Sequence, residues 1–437
     1  MRLSDKRLRL LAFALAASAA LSGCQIADQK VDDDGPLYKS QNSGISTERT
    51  AQDPEPEGEE TLDSSSDSTA VDESSADRTE PAADSGLSEK VTKVLSEMST
   101  EEKVAQLFVI RVDVLEEDKP VDIGVTWVDD DMKAMLGKYP VGGVFYSPKN
   151  VKDEEQLTKL SADLQAAAKY PLFITADEEG GSVARISDST AIDVPTFDSM
   201  LEIGESGDTD KAKEVGETIG TYLSEFGLNL DLAPVADIYS NSDNTVIGDR
   251  AFGKDAATVS SMVSACIDGF HSKGVMTCLK HFPGHGDTSE DTHDGFVSVE
   301  KTWDELLDEE LIPFADNLDK TDMVMVAHIT LPNVSDDGLP ASLSKVMITD
   351  KLRGEMGYNG VVITDALAMG AIEENYKIED SAVKVIEAGA DLILMPSLFV
   401  DTYDAVLAAV NSGDISAERL DESVGRILTL KEKYGLI

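Results

Sequence analysis

Cysteine, aromatic residues and positive charge are all scarce in this chain of 437 residues. Three cysteines cannot form a disulfide scaffold, so the fold must rest on burial. Aromatics reach only 5%, but a hydrophobic share of 41% supports a large core and excludes wholesale disorder. The 37 Lys and Arg face 84 Asp and Glu, a formal net charge of −47. Such a chain repels phosphate, which argues against nucleic acid and acidic membrane surfaces as partners. Long apolar runs are scarce too: Leu10–Ser22 (LLAFALAASAALS) is too short to span a bilayer comfortably.

That short run has a meaning of its own. Arg2, Lys6, Arg7 and Arg9 precede it, and a basic segment before a short apolar one reads as a secretory signal. It ends in Leu21-Ser22-Gly23-Cys24, which looks like a bacterial lipobox. Residues 1–23 are therefore expected to be a lipoprotein signal peptide, with Cys24 lipidated. The acyl chains alone would then hold the protein outside the cytoplasm on the bacterial cell membrane. An ordinary signal peptide with a chance cysteine is the alternative. Residues 25–86 hold 17 acidic and 4 basic residues and almost no large apolar side chains. Residues 24–86 thus read as the lipidated cysteine and a disordered acidic tether, kept extended by self-repulsion.

From Leu87 onward short apolar runs alternate with amphipathic stretches. The runs are Leu107–Arg111, Gly143–Tyr146, Leu172–Ala176, Leu228–Leu232, Val275–Leu279, Met323–Ala327, Val361–Thr364 and Leu392–Met395. They are short and do not alternate polar with apolar, as expected of parallel strands covered on both faces. Helices are predicted over Asp153–Lys169, Thr209–Glu225, Ala256–Lys273, Trp303–Leu318 and Ser381–Ala388, and Ser99 with Glu102 forms a capping box. Eight strands each followed by helix make an α/β fold, a (β/α)8 TIM barrel over 87–437, with an open doubly wound sheet as the alternative. Asp177, Asp237, Lys280, His281, His328 and Asp365 directly follow strands. In a barrel they would converge on one face.

Three of the five histidines lie in Lys280–Asp294 (KHFPGHGDTSEDTHD). Two readings are open. His281, His285 and His293 with Asp287 or Asp291 form a possible zinc set, although the HxxxH spacing falls across Pro283-Gly284 and not on a helix. Alternatively, Asp291 and His293 form an acid/base couple in which the carboxylate fixes the imidazole tautomer and raises its basicity. Asp365 ends an apolar strand, where a carboxylate needs a reason: a nucleophile, or a cap on the next helix. Arg185, Arg250 and Lys280 read as hydrogen-bond donors to a ligand or as charge balance. Cys266 and Cys278 read as buried small hydrophobes, a disulfide being the alternative. His271 reads as a surface helix residue, and Trp127 and Trp303 as residues able to stack on a ligand, Trp303 fitting packing better because it sits inside a helix pattern. His328 either lines a pocket or is a satisfied histidine at the barrel top.

At KHFPGHG followed by DTH the chain resembles the family 3 glycoside hydrolases, specifically their single-domain β-N-acetylhexosaminidases. The resemblance runs over 88–437 and includes DEEGG with Arg185, LAPVAD, GDRAFG and VVITDALAM. It implies Asp365 as catalytic nucleophile, His293 as general acid/base with Asp291 as its partner, and Asp177, Arg185, Arg250, Lys280 and His281 as residues that hold the terminal sugar. Glu178 stands where Gln is common, which touches subsite detail only. The implied activity is a retaining exo-β-N-acetylglucosaminidase with no cofactor and no metal, acting on glycans or peptidoglycan fragments. Alternatives are an N-acetylglucosaminide phosphorylase, another exo-β-glycosidase, a metal-dependent hydrolase using the histidine loop, and a lipid-anchored sugar-binding protein without catalysis. The expected partners are a carbohydrate substrate and a membrane reached only through the anchor.

Overall fold

A computed structural model describes residues 86–116, 123–189, 191–288 and 297–437. The expected signal peptide, Cys24 and nearly all of the acidic tether lie outside these residues. Eight parallel strands form the centre: β1 (Phe108–Arg111), β2 (Gly143–Phe145), β3 (Phe173–Ala176), β4 (Leu230–Asp231), β5 (Met276–Phe282), β6 (Met323–Val326), β7 (Val361–Ala366) and β8 (Leu392–Leu394). Each pairs with its neighbours in the chain, and the sheet closes where Phe108 and Val109 of β1 meet Ile393 and Leu394 of β8. That last pairing excludes the open sheet. The fold is the (β/α)8 barrel.

All eight expected apolar runs are strands, and their side chains are almost entirely buried because helices cover the outside while side chains fill the inside. Helix starts follow local chemistry. Ser99 and Glu102 make the reciprocal capping box, while Asp153, Asp208, Asp255 and Ser416 cap the helices Glu154–Ala167, Thr209–Glu225, Ala256–Ser272 and Ala417–Lys433. Two of these helices touch backbone to backbone: a Cβ on Gly216 would lie 2.2 Å from the Cys266 carbonyl, and one on Gly269 2.3 Å from that of Lys213. Only glycine allows that approach.

One expectation needs correction. The helix expected over Trp303–Leu318 is two pieces, Trp303–Asp308 and Ile312–Ala315. Pro313 lacks an N–H and its ring would clash with the carbonyl of Glu309, where the helix breaks at φ −143° and ψ −78°. His271 lies on the helix Ala256–Ser272 with its side chain partly exposed, as expected, and is tied down there. Its Nε2 lies 2.8 Å from Asp322 Oδ2, a buried carboxylate that also receives Lys433, the Tyr434 hydroxyl and the Thr277 amide. Cys266 and Cys278 are buried free thiols. Trp303 is packed as expected, and Trp127 is exposed.

The N-terminal end of the barrel holds another buried charge site. Lys431 Nζ donates to Gln106 Oε1 at 2.8 Å and lies 4.8 Å from the centre of the Phe173 ring, with no carboxylate to compensate it among its described contacts. Burial pushes this amine down from its ordinary 10.5 to about 7. Between those values the unfolded chain carries a proton that the folded chain lacks, so this group adds stability as pH rises through the window, by up to about 1.4 kcal/mol per pH unit. Calorimetry from pH 7 to 9 should show the Tm of the wild type gaining on that of Lys431→Met. A constant difference would mean that Lys431 stays charged in the fold.

Candidate active site

Side chains from the C-terminal ends of β3, β4, β5 and β7 meet at one mouth of the barrel. Their centre is an ion network. Lys280, at the end of β5 and 2% exposed, places Nζ 2.9 Å from Asp177 Oδ1 and 2.6 Å from Glu179 Oε1. Arg250 grips the same Glu179 with two parallel bonds, Nε and Nη2 each at 2.7 Å, and donates from Nη1 to the Val246 carbonyl at 2.8 Å. Arg185 Nη2 approaches Asp177 Oδ2 at 3.7 Å. Four of the five predicted sugar-holding residues therefore share one network, joined by a glutamate that sequence reasoning passed over.

The electrostatics match the geometry. Burial works to raise the Glu179 pKa, but Arg250 and Lys280 outweigh it and hold the carboxyl far below its usual range. Burial likewise works against the Lys280 charge, and Asp177 and Glu179 reverse it, so the ammonium is held firmly charged. The neighbouring Glu178 faces away. Its carboxylate accepts the Ile186 and Ser187 amides at 2.7 and 2.9 Å and the Tyr222 hydroxyl at 2.7 Å. Alternation along the short strand Glu178–Gly180 separates the two glutamates. Glu178 thus ties down the segment that carries Arg185. Gly180 and Gly181, at φ +81° and +69°, make the turn between them.

His281, the fifth predicted residue, is oriented by Asp237. Its Nδ1 lies 2.7 Å from Asp237 Oδ2, and the same carboxylate accepts the amides of His281 and His285. With Nδ1 turned to the carboxylate, Nε2 faces Arg250 Nη2 at 3.5 Å. The Lys280–His281 peptide is cis. Asp237 was noted at a strand end, but its role as orienter was not legible there.

Asp365 ends β7, with Oδ1 accepting the Ala366 amide at 2.8 Å. Burial works to raise its pKa; the His281 and His328 rings, the Ala366 amide and Lys280 outweigh that and keep it ionised. The helix-cap reading fails, because the next helix, Gly370–Glu373, begins after Met369. His328 has both ring nitrogens engaged, Nδ1 with Ser342 Oγ at 2.7 Å and Nε2 with the Ala366 carbonyl at 3.0 Å. It is a satisfied histidine supporting the end of β7.

The histidine loop is pinned as far as Thr288. Asn244 Nδ2 donates to the His285 carbonyl at 2.8 Å, and a Cβ on Gly286 would lie 1.7 Å from the Ile238 carbonyl. The buried His285 ring has Nδ1 3.0 Å from Thr288 Oγ1, and burial lowers its pKa. Asp291 and His293 lie outside the described residues. Among the described residues no group of three or more His, Cys, Asp or Glu is arranged to hold a metal.

The barrel has relatives among known proteins. Residues 99–430 match the family model described as Glycosyl hydrolase family 3 N terminal domain. Beta-hexosaminidase A of Pseudoalteromonas piscicida is 34% identical over 339 residues, 71% of this chain and 56% of that protein. Beta-hexosaminidase LpqI of Mycobacterium tuberculosis is 32% identical over 333 residues, 72% and 82% respectively. The structure of a glycoside hydrolase family 3 beta-N-acetylglucosaminidase from Paenibacillus superposes with a TM-score of 0.71 at 39% identity, covering 78% of this chain and 63% of that one. The chain thus spans less than two thirds of the Pseudoalteromonas and Paenibacillus proteins.

Glu179→Gln tests the network. It keeps the shape but removes the charge shared by two buried cations, and breaking a buried pair from one side costs about 3–5 kcal/mol. Denaturant titration should show a loss of that order, far above the change from Glu217→Gln, whose exposed partner Lys213 lies 3.5 Å away. Equal small losses would mean that Glu179 does not hold Lys280 and Arg250.

Proposed function

Since the chain belongs to glycosyl hydrolase family 3, we propose that it is a retaining exo-β-N-acetylglucosaminidase that removes a terminal sugar through a glycosyl–Asp365 intermediate. The observation that carries this is the ionised Asp365 at the mouth of the barrel, beside a compensated set of cations. The names of the relatives support N-acetylglucosamine as the sugar. Lys280 has three N–H groups, and two are spent on Asp177 and Glu179, which leaves one for a sugar hydroxyl. Asp177 accepts from a hydroxyl, while Arg185, Arg250 and His281 complete the grip.

In the first step Asp365 Oδ attacks the anomeric carbon and forms an ester. The glycosidic bond breaks, and its oxygen leaves with a proton from His293, whose ring Asp291 orients. In the second step His293 takes a proton from water, the water oxygen attacks the anomeric carbon, and the Asp365 carboxylate departs. Two inversions give net retention. A neutral imidazole base does not repel an anion, so phosphate in place of water would give a sugar 1-phosphate by the same path.

A panel of nitrophenyl β-glycosides, with and without phosphate, tests the reading. The N-acetylglucosaminide should be cleaved fastest, with no requirement for phosphate. A faster glucoside, or turnover only with phosphate, would move the assignment to another exo-β-glycosidase or to a phosphorylase. His293→Ala should slow natural glycosides far more than dinitrophenyl glycosides, whose leaving group needs no proton, with intermediate accumulating on the latter. Equal slowing on every leaving group would take the acid/base role away from His293.

The site of action follows from the N-terminal segment. We propose that Cys24 carries the lipid anchor, that residues 25–86 are the spacer, and that the substrates are glycans or peptidoglycan fragments outside the cytoplasm. Cys24→Ser should release active enzyme into the medium. A variant that stays in the membrane fraction would place the anchor elsewhere.

A further inference from the structure

Four large apolar side chains are exposed among the described residues: Ile123, Trp127, Leu307 and Leu398. Trp127, at 64%, is the most open of them. Three of the four sit on two loops. Ile123 and Trp127 lie between β1 and the helix Asp130–Lys138, and Leu398 lies between β8 and the helix Phe399–Ser412. β1 and β8 are adjacent in the barrel, and both loops leave the face on which Asp365 sits. Exposed large apolar groups on neighbouring loops mark a binding surface more often than scattered ones do.

The backbone leading to Trp127 is held from within its loop and from the next one. Asp113, buried just after β1, accepts the Val125 amide at 2.8 Å. Buried Asn150, from the β2 loop, donates to Asp113 Oδ2 at 3.2 Å and to the Val125 carbonyl at 3.0 Å. Gln156 Nε2 donates to the Thr126 carbonyl at 3.0 Å. Gly124 takes φ +75°, and a Cβ there would lie 2.5 Å from the Lys149 carbonyl. A satisfied buried network of this kind fixes geometry. Here it presents an indole to solvent with much of its ordering cost already met.

Strand order places its loop on the rim. Closure in strand order puts β8 opposite β4 and β1 opposite β5. The residues that hold the terminal sugar come from β3, β5 and the loop after β4, and the nucleophile comes from β7. With the sugar gripped there and its anomeric carbon at Asp365, the β8–β1 sector is the side left to the leaving group beyond the bond that His293 protonates. That sector supplies none of the sugar-holding residues. An indole face packs on the apolar C–H face of a pyranose and needs no charge, which suits neutral glycans in a chain of net charge −47.

We infer that Trp127 is the stacking platform for sugars on the leaving-group side of the scissile bond, making the enzyme favour oligosaccharides. This rests on the proposed β-N-acetylglucosaminidase activity. The test compares wild type, Trp127→Ala and Trp127→Phe on β-1,4-linked N-acetylglucosamine oligomers of two to five units and on the nitrophenyl glycoside. The loss of kcat/KM in Trp127→Ala should grow with chain length, from within about threefold on the nitrophenyl glycoside to about tenfold on the tetramer. KM should carry it, and Trp127→Phe should recover most of it. Equal loss on all substrates, or none on the tetramer, overturns the inference. Tryptophan emission of Asp365→Asn gives a readout without turnover, because the only other tryptophan, Trp303, is buried. The pentamer should shift the emission and free N-acetylglucosamine should not; no shift with the pentamer overturns the platform. Failure of wild type to cleave any N-acetylglucosaminide would instead sink the underlying activity, and the emission titration would still decide the platform. If Trp127→Ala, in a Cys24→Ser background, abolishes self-association in sedimentation velocity or binding to phosphatidylglycerol vesicles, the patch belongs to a second copy or a lipid surface.

Discussion

One buried carboxylate sets the charge pattern of the site. Glu179 lies between Arg250 and Lys280 and takes bonds from both. Two cations brought this close would repel each other, and each loses hydration on burial. With Glu179 and Asp177 beside them they stay charged, fixed in direction and short of nothing but a last acceptor. A neutral ligand rich in hydroxyls supplies such acceptors. The arrangement also explains how a chain so poor in positive charge gathers hydrogen-bond donors at the barrel mouth: its few cations there are placed by carboxylates and not by net charge.

Around this centre each further carboxylate has a positioning task. Glu178 anchors the segment just after Arg185, and Asp237 orients His281 while drawing in the His285 amide. The opposite end of the barrel uses the same chemistry for a different end. There Asp322 and Asp391 bind backbone amides and basic residues of the outer helices, including Lys433, Arg353 and Arg426. Those contacts tie helices to strands. The separation of helix-tying charges at one end from the Glu179 network at the other is what a parallel barrel makes available.

Much of this was legible in the residues. Strands buried on both faces write themselves as apolar runs, and Thr209–Glu225 appears as a helix with its predicted bounds. Strand β5 runs on to Phe282, beyond the apolar run, because Lys280 and His281 are buried through partners that sequence alone does not reveal. Glu178 and Glu179 are neighbours of one type, and only the alternation of the strand that carries them sends one to the site and the other behind it. Closure of the barrel depends on β1 finding β8 nearly 300 residues later, which no local pattern encodes. The break before Pro313 was readable and was missed, since the apolar period continues across it. Asp365 was located by its strand, and its proposed chemistry depends on partners from three other strands.

The central claim is that Asp365 becomes covalently bonded to the sugar. A fluorinated N-acetylglucosaminyl donor that slows breakdown of the intermediate, followed by proteolysis and mass spectrometry, reads this directly. The account predicts one labelled peptide with the added sugar mass on Asp365, and none in Asp365→Asn. A label on any other carboxylate, or inactivation without a covalent adduct, would contradict it.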